Sequence, residues 1–213
     1  MLIDTPKRLL STSCSRCWRT QDRCQCREIH PVANRLRILL LQHPQEALEQ
    51  RSTGRLVSLS LGNCVHRIGL SWPSLKAALG DQASPASWGV LYVGGLQSSE
   101  SEQISPSSLH GLVVLDGTWK QSKTLWWRNP WLMRLKRVRL AVDKTSSYFP
   151  LRKEPRKECL SSLEAVAECF ERSGEIQVSE NLGRVFREFL SRPAISKPAR
   201  TSAEPPSANS PKS

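Results

Sequence analysis

Two nearly continuous apolar runs, residues 36–41 (Leu-Arg-Ile-Leu-Leu-Leu) and 111–115 (Gly-Leu-Val-Val-Leu), each stop at turn-forming residues, His43-Pro44 after the first and Asp116-Gly117 after the second. A strand that is apolar at almost every position has to be covered on both faces. That places it in the interior of a parallel sheet with helices on either side. The chain between residues 34 and 190 reads accordingly. Further strands are expected over 65–68, 88–93 and 137–142, the last alternating charged and apolar residues as a half-buried strand does. Helical patterns cover 47–61 (interrupted by Gly54), 73–79 (closed by Gly80), 119–127, 161–172 and 180–190. Strands alternating with helices predict an α/β domain with a largely parallel sheet. The serine-rich stretch 97–108 reads as a loop within it. No apolar run approaches the roughly 20 residues of a membrane helix, and the N-terminus lacks the pattern of a secretory signal. The expectation is a cytoplasmic protein with no membrane partner.

The flanks differ in composition. Residues 1–33 are basic, rich in cysteine and poor in aliphatic side chains, too short to bury a core of their own, so a metal has to supply their stability. Four of the seven cysteines fall in the pattern Cys14-x2-Cys17-x6-Cys24-x-Cys26. An odd total and the absence of an export signal argue against a disulfide framework. Two thiolates from a Cys-x-x-Cys turn and two from Cys-x-Cys can complete a tetrahedron around a structural Zn2+, and so closed a site leaves no position for catalysis; the alternative is four ordinary or redox-active cysteines. Residues 191–213 contain five prolines, six serines and no aromatic residue, a composition that predicts a disordered tail. The expected division is therefore a four-cysteine module at 1–33, a catalytic α/β domain at 34–190 and a tail at 191–213.

Charge narrows the partner. Thirty-one Lys and Arg against nineteen Asp and Glu give a formal net charge of +12. This points to an anionic partner, nucleic acid first, or else simply to solubility. Residues 119–139 concentrate it: Lys120, Lys123, Arg128, Arg134, Lys136, Arg137 and Arg139 carry seven positive charges with no acid between them, interleaved with Trp119, Trp126, Trp127 and Trp131. Cations contact phosphates and indoles stack on unpaired bases; alternatively the tryptophans are core and the cations a solvated face. Adjacent Trp126 and Trp127 cannot share one face of a helix, so one points inward and the other towards the surface.

Ligands of open α/β sheets bind at the carboxyl ends of strands, which makes Asp116 a site candidate. It can accept a proton, hold a ligand amine, or serve only the turn. Gly117 permits a tight bend, and Thr118 is placed to cap the following helix. Gly94-Gly95, at the end of another strand, would let a cofactor approach the backbone.

The block Asp116-Gly117-Thr118-Trp119 matches the Asp-x-Thr-Trp signature of the DTW-domain family, and the other landmarks follow in that family's order. These are the four-cysteine pattern, His43-Pro44-x-Glu46 with Thr53-Gly54 after it, Tyr148-x-x-Leu151-Arg152-x-Glu154-Pro155, and Leu160-Ser161-Ser162-Leu163-Glu164-Ala165. The chain thus resembles this family over about residues 14–190, departing from it at Ser162, where Thr is usual, at Phe149, and at Gly94-Gly95, where a proline-bearing form is commoner. The resemblance implies a SPOUT-like knotted α/β fold. It also implies transfer of the 3-amino-3-carboxypropyl group of S-adenosylmethionine to N3 of a uridine in tRNA, with release of 5′-methylthioadenosine. Carried onto this sequence, it implies catalytic roles for Asp116, Thr118 and Trp119, and cofactor contacts from Gly94, Gly95, Leu115, Gly117, Arg152 and Glu154. RNA contacts are expected from Lys120, Lys123, Arg128 and Arg134, and metal ligation from Cys14, Cys17, Cys24 and Cys26. Asp116 is either the base that takes the N3 proton or the anchor of the cofactor amine. His43 is a rival base or a turn residue, and Glu46 is structural or the partner of an arginine. SPOUT relatives often form homodimers. The competing readings are an S-adenosylmethionine-dependent RNA methyltransferase of the same fold and a zinc-bearing RNA-binding protein without activity.

Overall fold

The computed structural model describes residues 13–92, 104–140 and 160–192. In chain order its elements are β1 (Arg37–Gln42), α1 (Gly54–Ser60), β2 (Cys64–Ile68), α2 (Leu75–Leu79), β3 (Trp88–Tyr92), β4 (Gly111–Asp116), α3 (Trp119–Arg128), β5 (Lys136–Arg139), α4 (Ser162–Arg172) and α5 (Ile176–Ser191). The strands form one five-stranded sheet in the order β2-β1-β4-β3-β5, and every pairing is parallel. The two apolar runs are β1 and β4, neighbours near the middle of the sheet. β5, in which only Val138 is buried, forms the edge beside β3.

Alternate residues of a strand face opposite sides, and both sides are covered here. Ile38, Leu40, Leu112 and Val114 pack against α1, α4 and α5 through Leu56, Leu163, Phe170 and Val185, among others. Leu39, Leu41, Val65, Val90 and Val113 pack against α2 (Leu75, Ala78, Leu79) and the turn that follows α3 (Leu132, Leu135). The result is the expected three-layer α/β arrangement. α4 begins with a capping box between Ser161 and Glu164, and α2 ends on Gly80 in the left-handed region, φ 80°, as its sequence predicts.

The helix expected over 47–61 is resolved differently. A short 3-10 turn (Glu46–Leu48) is followed by an irregular stretch, and α1 starts only at Gly54. Polar Ser52 and Thr53 are buried there and spend their groups on tertiary hydrogen bonds instead of helical ones. α5 starts at Ile176, earlier than the 180–190 pattern predicts, and buried Val178 extends its apolar face.

The cysteine-rich segment rests directly on the domain. Cys17 and Ile29 belong to the same apolar cluster as α5. The Gln25 side chain donates to the Val185 carbonyl at 3.1 Å, and Arg184 donates to the Glu28 carbonyl at 3.0 Å. Among the described residues no helix is long and apolar enough to cross a membrane. Residues 1–12, 93–103, 141–159 and 193–213 lie outside the described residues. With them lie most of the expected tail and part of the 97–108 loop.

Candidate active site

β1 and β4 pair so that Gln42 stands opposite Asp116 at their carboxyl ends. From β1 the chain crosses to β2 on one side, while β3 and β5 lie beyond β4 on the other. The crevice between β1 and β4 is therefore the switch point at which sheets of this kind take ligands.

Asp116 is 3% exposed and has hydrogen-bond donors on both carboxylate oxygens. Gln42 Nε2 donates to Oδ2 at 2.6 Å, the Ser52 hydroxyl donates to the same oxygen at 3.4 Å, and the Ser162 hydroxyl donates to Oδ1. One carboxylate thus joins the ends of two strands to the approach to α1 and the start of α4. The amide oxygen of Gln42, Oε1, faces His66 Nε2 at 3.0 Å, and Gln42 Nε2 also donates to the Ser52 hydroxyl at 3.0 Å. Gly54 is needed here because a Cβ on it would stand 2.4 Å from Asp116 Oδ2.

The expected turn chemistry is present beyond Asp116. Thr118 and Gln121 form a reciprocal capping box at the start of α3, and Trp119 behind it is partly exposed. His43 serves the turn. Its backbone N–H donates to the Asp116 carbonyl at 3.0 Å, and its ring Nδ1 accepts from the Gln45 N–H at 3.2 Å. Burial lowers its pKa below the usual histidine range. Glu46 is buried. Leu115 is half-buried beside Asp116, whereas Gly94, Gly95, Arg152 and Glu154 lie outside the described residues.

The four cysteines converge. Their sulfurs all lie within 4.8 Å of one another, and the pairs Cys14–Cys26 and Cys17–Cys24 are each 3.8 Å apart. A tetrahedral ion with metal–sulfur bonds of about 2.3 Å requires sulfur separations of about 3.8 Å, so the donor set fits one thiophilic metal ion. Burial acts against ionisation of Cys14, yet the backbone N–H groups of Cys17 and Arg16 and the thiols of Cys24 and Cys26 bring its pKa down to about 7. Cys64 and Cys169 are core thiols, each pushed up to about 12 by burial.

The cysteine turn also borders the switch point. Trp18, directly after Cys17, is 5% exposed. It takes the left-handed conformation at φ 64°, a backbone state that costs a side chain about 1–2 kcal/mol. Its ring lies 5.6 Å from that of His66, and the Arg55 guanidinium stacks 4.2 Å from it. Arg19 donates to the Ser52 carbonyl. Cys17, Trp18, Arg19, Gln42, Ser52 and Arg55 line a shared crevice.

Lys120, Lys123, Arg128 and Arg134 are all exposed, on α3 and the turn after it, and none pairs with a carboxylate among the described residues. Trp127 is 72% exposed while Trp126 packs against the core, which resolves the adjacent pair as the sequence requires. Gln42, Ser52 and His66 are site residues that sequence reasoning missed, and Ser162, noted only as a departure from the family pattern, was given no role. Gln42 did carry a signal, since it is the first polar residue after the β1 apolar run, as Asp116 is after that of β4.

An open parallel α/β sheet with a buried acid at its switch point defines a protein that takes a ligand at the carboxyl edge of the sheet. Comparison with known proteins gives the family: the DTW domain model matches residues 11–193, and the chain belongs to the DTW domain family. A Drosophila melanogaster protein named tRNA-uridine aminocarboxypropyltransferase 2 is 32% identical over 174 residues, 78% of this chain and 67% of its own length. Proteins of the same name from Macaca fascicularis and Mus musculus are 29% and 28% identical over 161 residues, 72% of this chain. The chain spans about two thirds of the fly relative's length and about half, 54%, of that of the other two. No solved structure matches it.

Proposed function

We infer that this chain is a tRNA-uridine aminocarboxypropyltransferase. Family membership and the names of its relatives support the reading. The observation that carries it in the structure is the Asp116 carboxylate, buried at the β1–β4 switch point and held from both sides by Gln42, Ser52 and Ser162. A protein that only bound RNA would have no use for a desolvated acid so placed. S-adenosylmethionine, when bound, would supply an electrophilic γ-carbon; transfer forms one C–N bond to uridine N3, breaks one C–S bond and the N3–H bond, and releases 5′-methylthioadenosine and a proton. An acid with donors on both oxygens is fixed in place, which suits the role of anchor for a cationic group of the donor better than that of a mobile base. Thr118 and Gly117 hold the loop that carries it, and Trp119 and Leu115 form the adjoining wall.

tRNA is held by the exposed cations Lys120, Lys123, Arg128 and Arg134 on and after α3, a helix whose first turn abuts Asp116. Gly94, Gly95, Arg152 and Glu154 complete the cofactor site. The four cysteines hold a structural Zn2+. The sheet takes the knotted, SPOUT-like form that the family resemblance implies.

Donor labelled separately in the methyl group and in the methionine backbone tests the reaction. Backbone label is expected in tRNA, with 5′-methylthioadenosine accumulating. Methyl label in RNA with S-adenosylhomocysteine as product would instead establish a methyltransferase. Asp116→Asn keeps the shape and removes the charge. Turnover is expected to fall by about 100-fold, with donor affinity falling alongside if Asp116 is the anchor and staying unchanged if it is the base.

A further inference from the structure

We propose that His66 is a positioning residue, acting through the Gln42 amide on the Asp116 carboxylate, with Trp18 of the cysteine turn as the wall that keeps it in place. The proposal rests on the functional reading above only for the consequence in turnover; the orientation it assigns is a property of the protein alone.

The two ends of a glutamine amide are nearly equal in shape and opposite in chemistry, one donating and one accepting. Gln42 is fully buried, with its nitrogen 2.6 Å from a carboxylate oxygen of Asp116. Turned over, it would set its own oxygen against that carboxylate. The group that fixes the correct orientation is on the opposite side: His66 Nε2 lies 3.0 Å from Gln42 Oε1. Because Oε1 only accepts, His66 has to carry its proton on Nε2. Its Nδ1 is buried without a partner among the described residues, so the ring does one thing, which is to donate through Nε2. A second proton on Nδ1 would be an unpaired buried donor. Burial, reinforced by the positive charge of Arg55, lowers the His66 pKa to about 3 and keeps the ring neutral. The ring cannot swing away because Trp18 lies against it at 5.6 Å, backed by Arg55. A residue needed only to fill this space would be apolar; one needed to donate at the Nε2 position is histidine or glutamine.

Steady-state kinetics with S-adenosylmethionine and unmodified tRNA, on His66→Leu and His66→Gln in the full chain, provide the test. Loss of one orienting hydrogen bond is expected to lower kcat of His66→Leu by about 10-fold with KM for the donor within about 2-fold of wild type. His66→Gln, whose amide nitrogen can take the place of Nε2, is expected to recover most of the rate. Unchanged kcat in His66→Leu, or an equal loss in both variants, overturns the proposal. Nitrogen NMR of the wild-type protein gives a reading that does not depend on how the variants fold. The neutral Nε2–H tautomer of His66 is expected down to about pH 5, and the Nδ1–H tautomer or an imidazolium there overturns the assignment. A failure of the functional reading shows separately, as wild-type protein that yields no 5′-methylthioadenosine, and the tautomer still decides the orientation.

Discussion

The Asp116 carboxylate occupies the space that a side chain at position 54 would need, and this sets two effects against each other. Replacing a helical glycine by alanine ordinarily stabilises by about 0.5–1 kcal/mol, whereas forcing an extra carbon into a packed site costs about 1–3 kcal/mol. Here the contact would be 2.4 Å, against a carboxylate held by Gln42 and Ser162 and unable to step aside. Crowding should win. Gly54→Ala is expected to lower stability by about 1–2 kcal/mol in denaturant unfolding and to lose most turnover; a stabilised, active variant would show that the carboxylate is free to move. The place of Asp116 at the end of a central strand was legible in the sequence, because an acid ending an apolar strand is a local pattern; a role beyond the turn came only with the family resemblance. Its partners were not legible. Ser52 lies within a stretch whose periodicity reads as helix, and His66 looks like one polar residue of a short strand. Ser162 is separated from the acid by 46 positions. Their meaning depends on strand register and on where α4 docks, which no window of sequence contains.

The strands were the most legible elements, because a run such as Ile38-Leu39-Leu40-Leu41 can be satisfied only by burial on both faces. α3 was legible for a different reason. It has a capping residue at its start and a single fully buried side chain, Leu125, so its outer face is set by charge instead of by packing. That face should behave as a phosphate-binding surface. Each phosphate contact contributes roughly 0.7–0.9 to the slope of log affinity against log salt, so Lys123→Ala with Arg128→Ala is expected to flatten the slope for tRNA by about 1.4–1.8. Filter binding across a salt series measures it, and an unaltered slope would reduce this helix to a solvated face. The 47–61 segment was misread because apolar periodicity reports what is buried and is silent on buried polar groups. Ser52 and Thr53 interrupt the helix in order to serve Asp116 and α4.

For the molecule as a whole, the cysteine segment shares its core with α5 through Cys17 and Ile29, so the segment and the sheet cannot melt independently. One zinc per chain is expected by elemental analysis of protein never exposed to chelator. Cys24→Ser should lose it and lower the melting temperature of the entire domain as well as loosening residues 13–30; metal-free protein with an unchanged melt would end the idea of a structural ion. The strand order has a further consequence, which concerns synthesis. β4 lies between β1 and β3, so the sheet cannot be assembled in the order in which the ribosome delivers it. Once residue 92 has emerged, β1, β2 and β3 all exist, but β1 has a partner on one side only. The 74 residues from Gln42 to Asp116 take about 4–15 s to make at about 5–20 residues per second. For that time the leucine-rich edge of β1 stands open, a template for pairing with any other chain. Fragments that stop short of residue 111 are therefore expected to aggregate where the whole chain folds, which light scattering of the two would measure.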